Sequence, residues 1–245
     1  MAEPYFDDMA EYYDHFWGEQ QDQEEELAFV RSHARGGRVL DVGVGTGRLA
    51  IPLAQDGLRV HGVDDSIEML HKLRAKAAQN NVTESVTSQQ EDLTLRDVSG
   101  SYSLIIVVYH TLYYAHSREE QAEFFRAARR LLVKGGRLVI EAYQPTEKRM
   151  ARWRSGVHPI AFDPSGVQLE FYDHKPHDRT VRTGRLVFTE AGPRYSYHVD
   201  RYLWPDEMDK LADSAGLSLI SRHAGWLNER FHPTKSGRSV SLYAA

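Results

Sequence analysis

Three glycines at every second position, Gly43, Gly45 and Gly47, follow an apolar run that carries an acid, Arg38-Val39-Leu40-Asp41-Val42. A helical pattern then runs from Arg48 to Gln55. Strand, tight turn and helix follow in order, and the turn lacks side chains where a nucleotide-like ligand would meet the backbone. The spacing also discriminates between ligands. A dinucleotide fingerprint reads G-x-G-x-x-G, and its third glycine would fall at position 48, where Arg48 stands instead.

Two more carboxylates stand at predicted strand ends. Val60-His61-Gly62-Val63-Asp64 ends in an acid 21 residues after Gly43. A carboxylate there can accept both hydroxyls of a ribose. Ser66 is the expected cap of the helix that follows. Gln90-Glu91-Asp92-Leu93 ends the third strand, where Asp92 can accept an adenine amino group and nearby backbone can donate to a ring nitrogen. Leu131-Leu132-Val133-Lys134-Gly135-Gly136 precedes a fifth strand.

The order and spacing of these segments resemble the class I S-adenosylmethionine (SAM)-dependent methyltransferases, over roughly residues 36–145 and more weakly over 203–244. The resemblance implies a Rossmann-like, doubly wound α/β fold whose seven-stranded sheet has its last strand antiparallel. It implies SAM as cofactor and S-adenosylhomocysteine as product. The cofactor-binding residues it implies are Tyr12, Asp41, Gly43, Gly45, Gly47, Asp64, Asp65, Glu91, Asp92, Leu93 and Tyr109. By that resemblance the glycines lie beside the methionine part and Asp41 orients the loop and the cofactor's amino group. Asp64 holds the ribose and Asp92 the adenine. Asp65 occupies a usually apolar position and is expected to face elsewhere, contributing less than Asp64. Tyr12-Tyr13-Asp14 resembles the tyrosine-bearing lid helix of small-molecule members. Two positions depart from the family pattern, Ser103 after Tyr102 and Lys134 before the paired glycines, and neither contacts cofactor in the family.

A sulfonium methyl group is already activated, so such an enzyme must align a nucleophile and exclude water. A hydroxyl acceptor gains from a general base, whereas an amine needs only to be bound neutral. The run Val108-Tyr109-His110-Thr111-Leu112-Tyr113-Tyr114 falls at the sheet rim where the acceptor should lie. His110 is the first candidate for a base; it could equally donate to the cofactor carboxylate or simply pack. Tyr13, Tyr113 and Tyr143 are the alternative catalytic groups. Trp153, His158, Phe171, Tyr172 and His174 either cap the acceptor pocket or build a subunit interface. Of the 12 histidines only His174-x-x-His177 has tight spacing, and with Pro176 inside it and no cysteine the reading is no metal site.

The elements that must position these groups alternate. Strands are expected at 38–42, 58–63, 85–90, 103–109 and 137–142, with helices at 22–34, 47–55, 66–79 and 117–132, the last stopped by Gly135-Gly136. That rhythm implies right-handed crossovers and a parallel sheet. It breaks at 168–203, where polar and apolar residues alternate as in antiparallel strands punctuated by Gly184 and Gly192-Pro193. Leu203-Trp204-Pro205 opens a helix ending near Gly216, and 217–224 and 238–244 form a last antiparallel pair. The expected parts are a lid segment and helix at 1–35, an α/β core at 36–145, a small antiparallel insertion at 146–203 and a closing segment at 204–245.

Composition narrows the function further. The 245 residues carry 30 basic and 35 acidic side chains, a formal charge of −5, which argues against a nucleic-acid partner. The absence of cysteine removes disulfides and thiolate chemistry. No apolar run approaches the ~20 residues of a membrane span, and no leader pattern opens the chain. The expectation is a cytoplasmic protein acting on a small molecule, away from membranes, with a homodimer through the insertion as one arrangement. The pattern looks like bacterial natural-product and amino-sugar N-methyltransferases, with nitrogen narrowly favoured over oxygen or carbon as acceptor. The competing readings are a nicotinamide-dependent oxidoreductase, against which Arg48 and the lack of a Tyr-x-x-x-Lys pair count, and an inactive SAM-binding module.

Overall fold

The computed structural model describes residues 5–17, 22–154, 156–163, 166–189 and 192–245. Part of the expected lid segment, residues 1–4 and 18–21, lies outside them, as do positions 155, 164–165 and 190–191 of the insertion. Helices α1 (Tyr5–Trp17) and α2 (Gln23–Ala34) precede the strands β1 (Val39–Val42), β2 (Val60–Asp64), β3 (Val86–Gln90), β4 (Tyr102–Val107) and β5 (Leu132–Tyr143). Between these strands run α3 (Ala50–Gln55), α4 (Ile67–Gln79) and α5 (Arg118–Leu131). The short α6 (Glu147–Trp153) leads into β6 (Val157–Asp163), β7 (Gly166–Lys175), β8 (Thr180–Thr189) and β9 (Gly192–Arg201). Helix α7 (Pro205–Ser214) and strands β10 (Ser218–His223) and β11 (Arg238–Ala244) close the chain.

The main sheet has seven strands in the order β10-β11-β5-β4-β1-β2-β3, with β11 antiparallel to β5 and to β10. Successive strand residues feed opposite layers, as a pleated strand buried on both faces requires. Val39, Leu104, Ile106 and Val139 pack with Leu27 and Val30 of α2 and with Leu70 and Leu73 of α4. Leu40, Ile105, Val107 and Ile140 pack on the other face with Phe124, Phe125 and Leu131 of α5 and Met208 of α7. Both layers explain why these strands read as nearly unbroken apolar runs. Side-chain caps fix the helix starts: Ser66 accepts from Met69 N at 3.2 Å, and Ser117 accepts from Glu120 N at 3.1 Å.

The doubly wound sheet and its antiparallel closing strands agree with the sequence reading, and four details differ. β4 stops at Val107, because Tyr109 and His110 turn left-handed with φ of 54° and 53°. Gly135-Gly136 does not end α5, which passes directly into β5 at Leu132. Gly135 takes a φ of 73° inside that strand, where the register with β4 jumps from Tyr102↔Leu132 to Leu104↔Arg137. The glycine absorbs a bulge rather than capping a helix. Gly184, expected to punctuate the insertion, lies inside β8 opposite Tyr197, and a Cβ there would press on the Tyr195 ring. The insertion also holds α6 and a sheet of four strands, β6-β7-β8-β9, beginning well before position 168.

Candidate active site

A cavity of about 380 Å³ opens over the carboxyl ends of β1, β2 and β4 and extends to the inward face of β8 and β9. That volume is in the range of small-molecule sites. Its loop end is built by the residues after β1. Gly43 N donates to Val63 O at 2.8 Å, and Gly43 and Gly45 adopt φ of 73° and 54°. A Cβ on Gly43 would collide with the Thr111 side chain, whereas a Cβ on Gly45 would meet only a Tyr13 ring carbon at 3.9 Å. Gly45 therefore leaves open space on the cavity side. Asp64 ties the loop to the next strand: Oδ2 accepts from Gly45 N at 2.8 Å and Oδ1 from Ser66 N at 3.0 Å.

Burial dominates the electrostatics here. It pushes the Asp41 carboxyl up to about 7 against the opposing pull of Arg48. It pushes Asp64 up to about 7 despite the two backbone N–H bonds, and it raises Asp65 as well. Arg48 grips Glu26 of α2 with both guanidinium arms, the second at 3.1 Å. That pair locks α2 to the glycine loop and fills the place a third fingerprint glycine would leave empty. Asp92 turns inward on its own loop, with Oδ1 accepting from Thr94 N at 2.8 Å. Glu91 accepts from Asp92 N and Asp97 N at 3.2 and 3.0 Å.

Helix α1 lies across the cavity. Asp7 accepts from Ser66 Oγ at 2.5 Å, and Asp14 accepts from Thr46 Oγ1 at 2.6 Å and pairs with Lys76 at 2.7 Å. Tyr5, Phe6 and Tyr13 face the cavity from this helix. The insertion end is completed by Tyr109, His110 and Tyr114 after β4, Arg185 on β8 and His198 on β9. Burial, with the charges of Arg149 and Arg185, pushes His110 down to about 3. Its Nε2 stands 3.4 Å from the Tyr114 hydroxyl, and its ring stacks on Tyr109 at 5.0 Å. Arg185 donates to Glu170 Oε1 from Nη2 at 3.0 Å and from Nε at 3.2 Å.

Asp41, Gly43, Gly45, Asp64, Glu91, Asp92, Leu93, Tyr109, His110 and Tyr13 all line this one cavity, and Asp65, expected to face elsewhere, lines it too. Gly47, Tyr12, Tyr113 and Tyr143 do not. Gly47 faces the core, where a Cβ would strike Leu73 at 2.5 Å. Tyr12 points outward beneath Arg194, whose guanidinium lies 5.8 Å from the ring centre. Tyr113 is fully buried and donates to the carbonyls of Tyr143 and Leu203 at 3.1 and 3.0 Å. Tyr143 donates to Asp200 Oδ2 at 2.9 Å behind the cavity wall. Trp153 is buried against Tyr202 and His174, and His158 packs on Tyr172, also away from the cavity. Among the described residues no group of three or more His, Asp or Glu could hold a metal, and no helix is long and apolar enough to cross a membrane.

Sequence reading missed Tyr5, Phe6, Arg185, His198 and Asp200. The last two stand at i and i+2 on β9, a spacing that puts both on one face of a strand. That spacing was the available signal, but nothing local says which face of β9 meets the cavity.

The chain's residues fit a ligand with an adenosyl and an amino-acid part. Open backbone at Gly45 and buried acids at Asp41 and Asp64 converge on one space. A methyltransferase-domain family model matches residues 39–136. The solved CcbJ methyltransferase from Streptomyces caelestis is 35% identical, with a TM-score of 0.89 over 98% of this chain and 97% of that one. A SAM-bound amino pentose methyltransferase of calicheamicin biosynthesis from Micromonospora echinaspora has the same fold, at 20% identity and a TM-score of 0.71 over 95% of each chain. The cypemycin N-terminal methyltransferase of a Streptomyces species is 32% identical over 56% of both chains. Three such curated relatives are matched over 46–59% of their own length, so the chain spans about half of each. The fold, the glycine loop with its two acids, and these likenesses place the chain in the class I SAM-dependent methyltransferase family, whose cofactor is S-adenosylmethionine.

Proposed function

We propose that the chain transfers the methyl group of SAM to a nitrogen of a small-molecule acceptor, an amine of a natural product or amino sugar. The observation that carries this reading is the continuous cavity. It runs from the glycine loop to the inward face of the insertion and is covered by α1, which leaves room for a small molecule. The relatives named for an N-terminal methyl transfer and for an amino pentose support nitrogen as the target. Methylation of oxygen or carbon is the nearest alternative, and an inactive SAM-binding module is the alternative from another class. A nicotinamide cofactor is disfavoured by Arg48, whose pairing with Glu26 occupies the place of the third fingerprint glycine.

In this reading Asp64 would hold the ribose, Asp92 the adenine amino group, and Asp41 with Gly43 and Gly45 the amino-acid part. Bound SAM supplies an activated methyl group on a sulfonium. The chain's part is to orient the acceptor and keep water out, which Tyr5, Phe6 and Tyr13 of α1 serve by covering the site. The inward face of the insertion caps the acceptor. Its outward face exposes Phe188, Tyr195 and Tyr197, where we place the contact of a homodimer. Sedimentation tests that contact.

The decisive experiment is a panel of amines, phenols and acids incubated with labelled SAM, beside calorimetry with SAM and NAD. Label transfer to amines is expected, with tighter binding of SAM. Transfer to phenols alone would move the target to oxygen. Tighter binding of NAD, or no transfer at all, would overturn the reading.

A further inference from the structure

His198 and Asp200 are two polar residues at the insertion end that no cofactor contact requires. They are 7% and 4% exposed, and His198 lines the cavity. His198 Nε2 lies 3.5 Å from Asp200 Oδ1, while Asp200 Oδ2 accepts from the Tyr143 hydroxyl at 2.9 Å. Among the described residues neither His198 Nδ1 nor Asp200 Oδ1 has a hydrogen-bond partner. Buried acceptors are seldom left without donors, and their retention fits a site where a ligand brings the donor. The arrangement has an internal logic. A carboxylate facing Nε2 favours the tautomer with its proton there, which leaves the basic lone pair on Nδ1, the nitrogen without a partner. Catalytic hydrogen bonds are often long before the ligand binds, so 3.5 Å suits a dyad that tightens on closure.

We propose that His198 is the catalytic base for the acceptor nitrogen, with Asp200 as the residue that positions its ring and Tyr143 the residue that positions Asp200. The proposal rests on the transfer to nitrogen argued above. An acceptor bound as an ammonium gives one proton to His198 Nδ1. The freed lone pair forms the nitrogen–carbon bond while the sulfur–carbon bond breaks, and both electrons of that bond stay on sulfur. The methylated nitrogen carries away the positive charge that the sulfonium brought. The proton on His198 then passes to water, restoring the ring.

The surroundings support this role. Tyr5 of α1 and Tyr114 pack edge-on against the His198 ring, with centroids at 4.6 and 5.2 Å. Arg185 on β8 and His110 after β4 are the cationic and titratable neighbours of His198, and Arg149 on α6 and Glu170 on β7 act on Asp200 with Arg185. Burial, then Arg185 and His110, hold His198 well below its ordinary pKa, so the ring stays neutral and able to accept. The same burial and the same Arg185 charge disfavour an ammonium in that space, which narrows the gap the proton must cross. Burial lifts Asp200 to about 7, so above that pH its carboxylate offsets the imidazolium that forms. His110 is a poorer candidate, since its Nε2 already faces the Tyr114 hydroxyl.

Two measurements test the proposal independently. The first is nitrogen NMR of the ring-labelled chain with S-adenosylhomocysteine bound, with His198→Gln identifying the signal. A neutral His198 protonated on Nε2 is expected, and Asp200→Asn should shift protons toward Nδ1. A neutral ring protonated on Nδ1 in the unaltered chain would overturn the proposal, whether or not any acceptor has been found. The second uses the amine that the panel methylates fastest. His198→Gln should lower kcat ~10²–10⁴-fold and abolish the acid limb of the kcat–pH profile. Affinity for S-adenosylhomocysteine should stay within about twofold, well under the tenfold step of 1.4 kcal/mol. Asp200→Asn should lower kcat less and move the same limb. A His198→Gln enzyme that keeps kcat and the limb would overturn the base, leaving the nitrogen acceptor standing. An unaltered chain that methylates no amine would overturn the acceptor class, and the NMR tautomer would still decide His198.

Discussion

At the loop end of the cavity, Asp41, Gly43, Gly45, Asp64 and Asp92 all sit at or just beyond the ends of three neighbouring strands, between positions 41 and 92. At the insertion end, Tyr5, His110, Arg185 and His198 come from four separate elements, between positions 5 and 198. The two ends also differ in charge chemistry. Burial lifts the carboxyls of Asp41 and Asp64 to about 7 at one end and lowers the imidazole of His110 to about 3 at the other. One low-dielectric space drives acids and bases alike toward their neutral forms. A ligand that brings donors or charge therefore meets groups ready to change protonation, and each end should answer to a different part of that ligand.

The largest effect that could break this division is at the glycine loop. Gly45→Val places a β-branched side chain at a left-handed φ of 54° beside the Tyr13 ring. SAM affinity should fall at least ~100-fold, about 2.8 kcal/mol, while circular dichroism remains that of a folded chain. Retained binding by calorimetry would mean that the loop does not touch the cofactor. Asp64→Ala comes next. Losing charge-assisted bonds costs ~1.5–3 kcal/mol, so affinity should drop roughly tenfold or more. Asp65→Ala should lose clearly less, and equal losses from the two would reassign the ribose acid.

The pH dependence sharpens the comparison further. The folded-state pKa values of Asp41 and Asp64 are raised to about 7, so below that pH the free protein holds these groups protonated. Hydrogen-bond donors on SAM favour the carboxylate forms, so binding should release protons and affinity should rise with pH up to about 7, then level off. In the free protein the same raised values favour folding at low pH, and that contribution fades as pH rises from about 4 through about 7. Calorimetry in two buffers of different ionisation enthalpy reads the proton release; proton uptake would contradict it. The smallest effect belongs to α1. Asp14→Asn removes a partly exposed ion pair with Lys76, worth at most about 1 kcal/mol, so cofactor affinity should change no more than about fivefold. A larger loss would make α1 part of the cofactor site proper.

Legibility in the sequence follows the same division. Apolar runs ending in acids, a glycine turn and helix caps are local signals, so β1, β2, α4 and the convergence of Asp41, Asp64 and Asp92 could be read before any coordinates. Ser66 as a cap needed only its neighbours. The insertion end depends on which face of β8 and β9 turns inward, and tertiary packing sets that. Tyr113 and Tyr143 show the limit: their place after rim strands suggested catalysis, yet their hydroxyls are spent on Leu203, Tyr143 O and Asp200. Gly135 shows another, since a glycine after a helical run is also what a strand bulge needs.

The left-handed pair at Tyr109 and His110 bears on how this site can change by mutation. Two successive non-glycine residues at φ of 54° and 53° form a backbone that β-branched side chains resist. Replacements at those two positions are thus filtered by backbone shape before chemistry is tested. Asn, Asp or Gly can enter, while Val, Ile or Thr would pull the turn out of shape. The extended backbone of β8 at Arg185 sets no such filter, so new acceptor preferences are reached more readily there, while His198 is held by its proposed chemistry. The rim after β4 is the part of this pocket fixed by backbone shape, and the β8 side of the insertion's inward face is the part that lineage or laboratory selection can redraw.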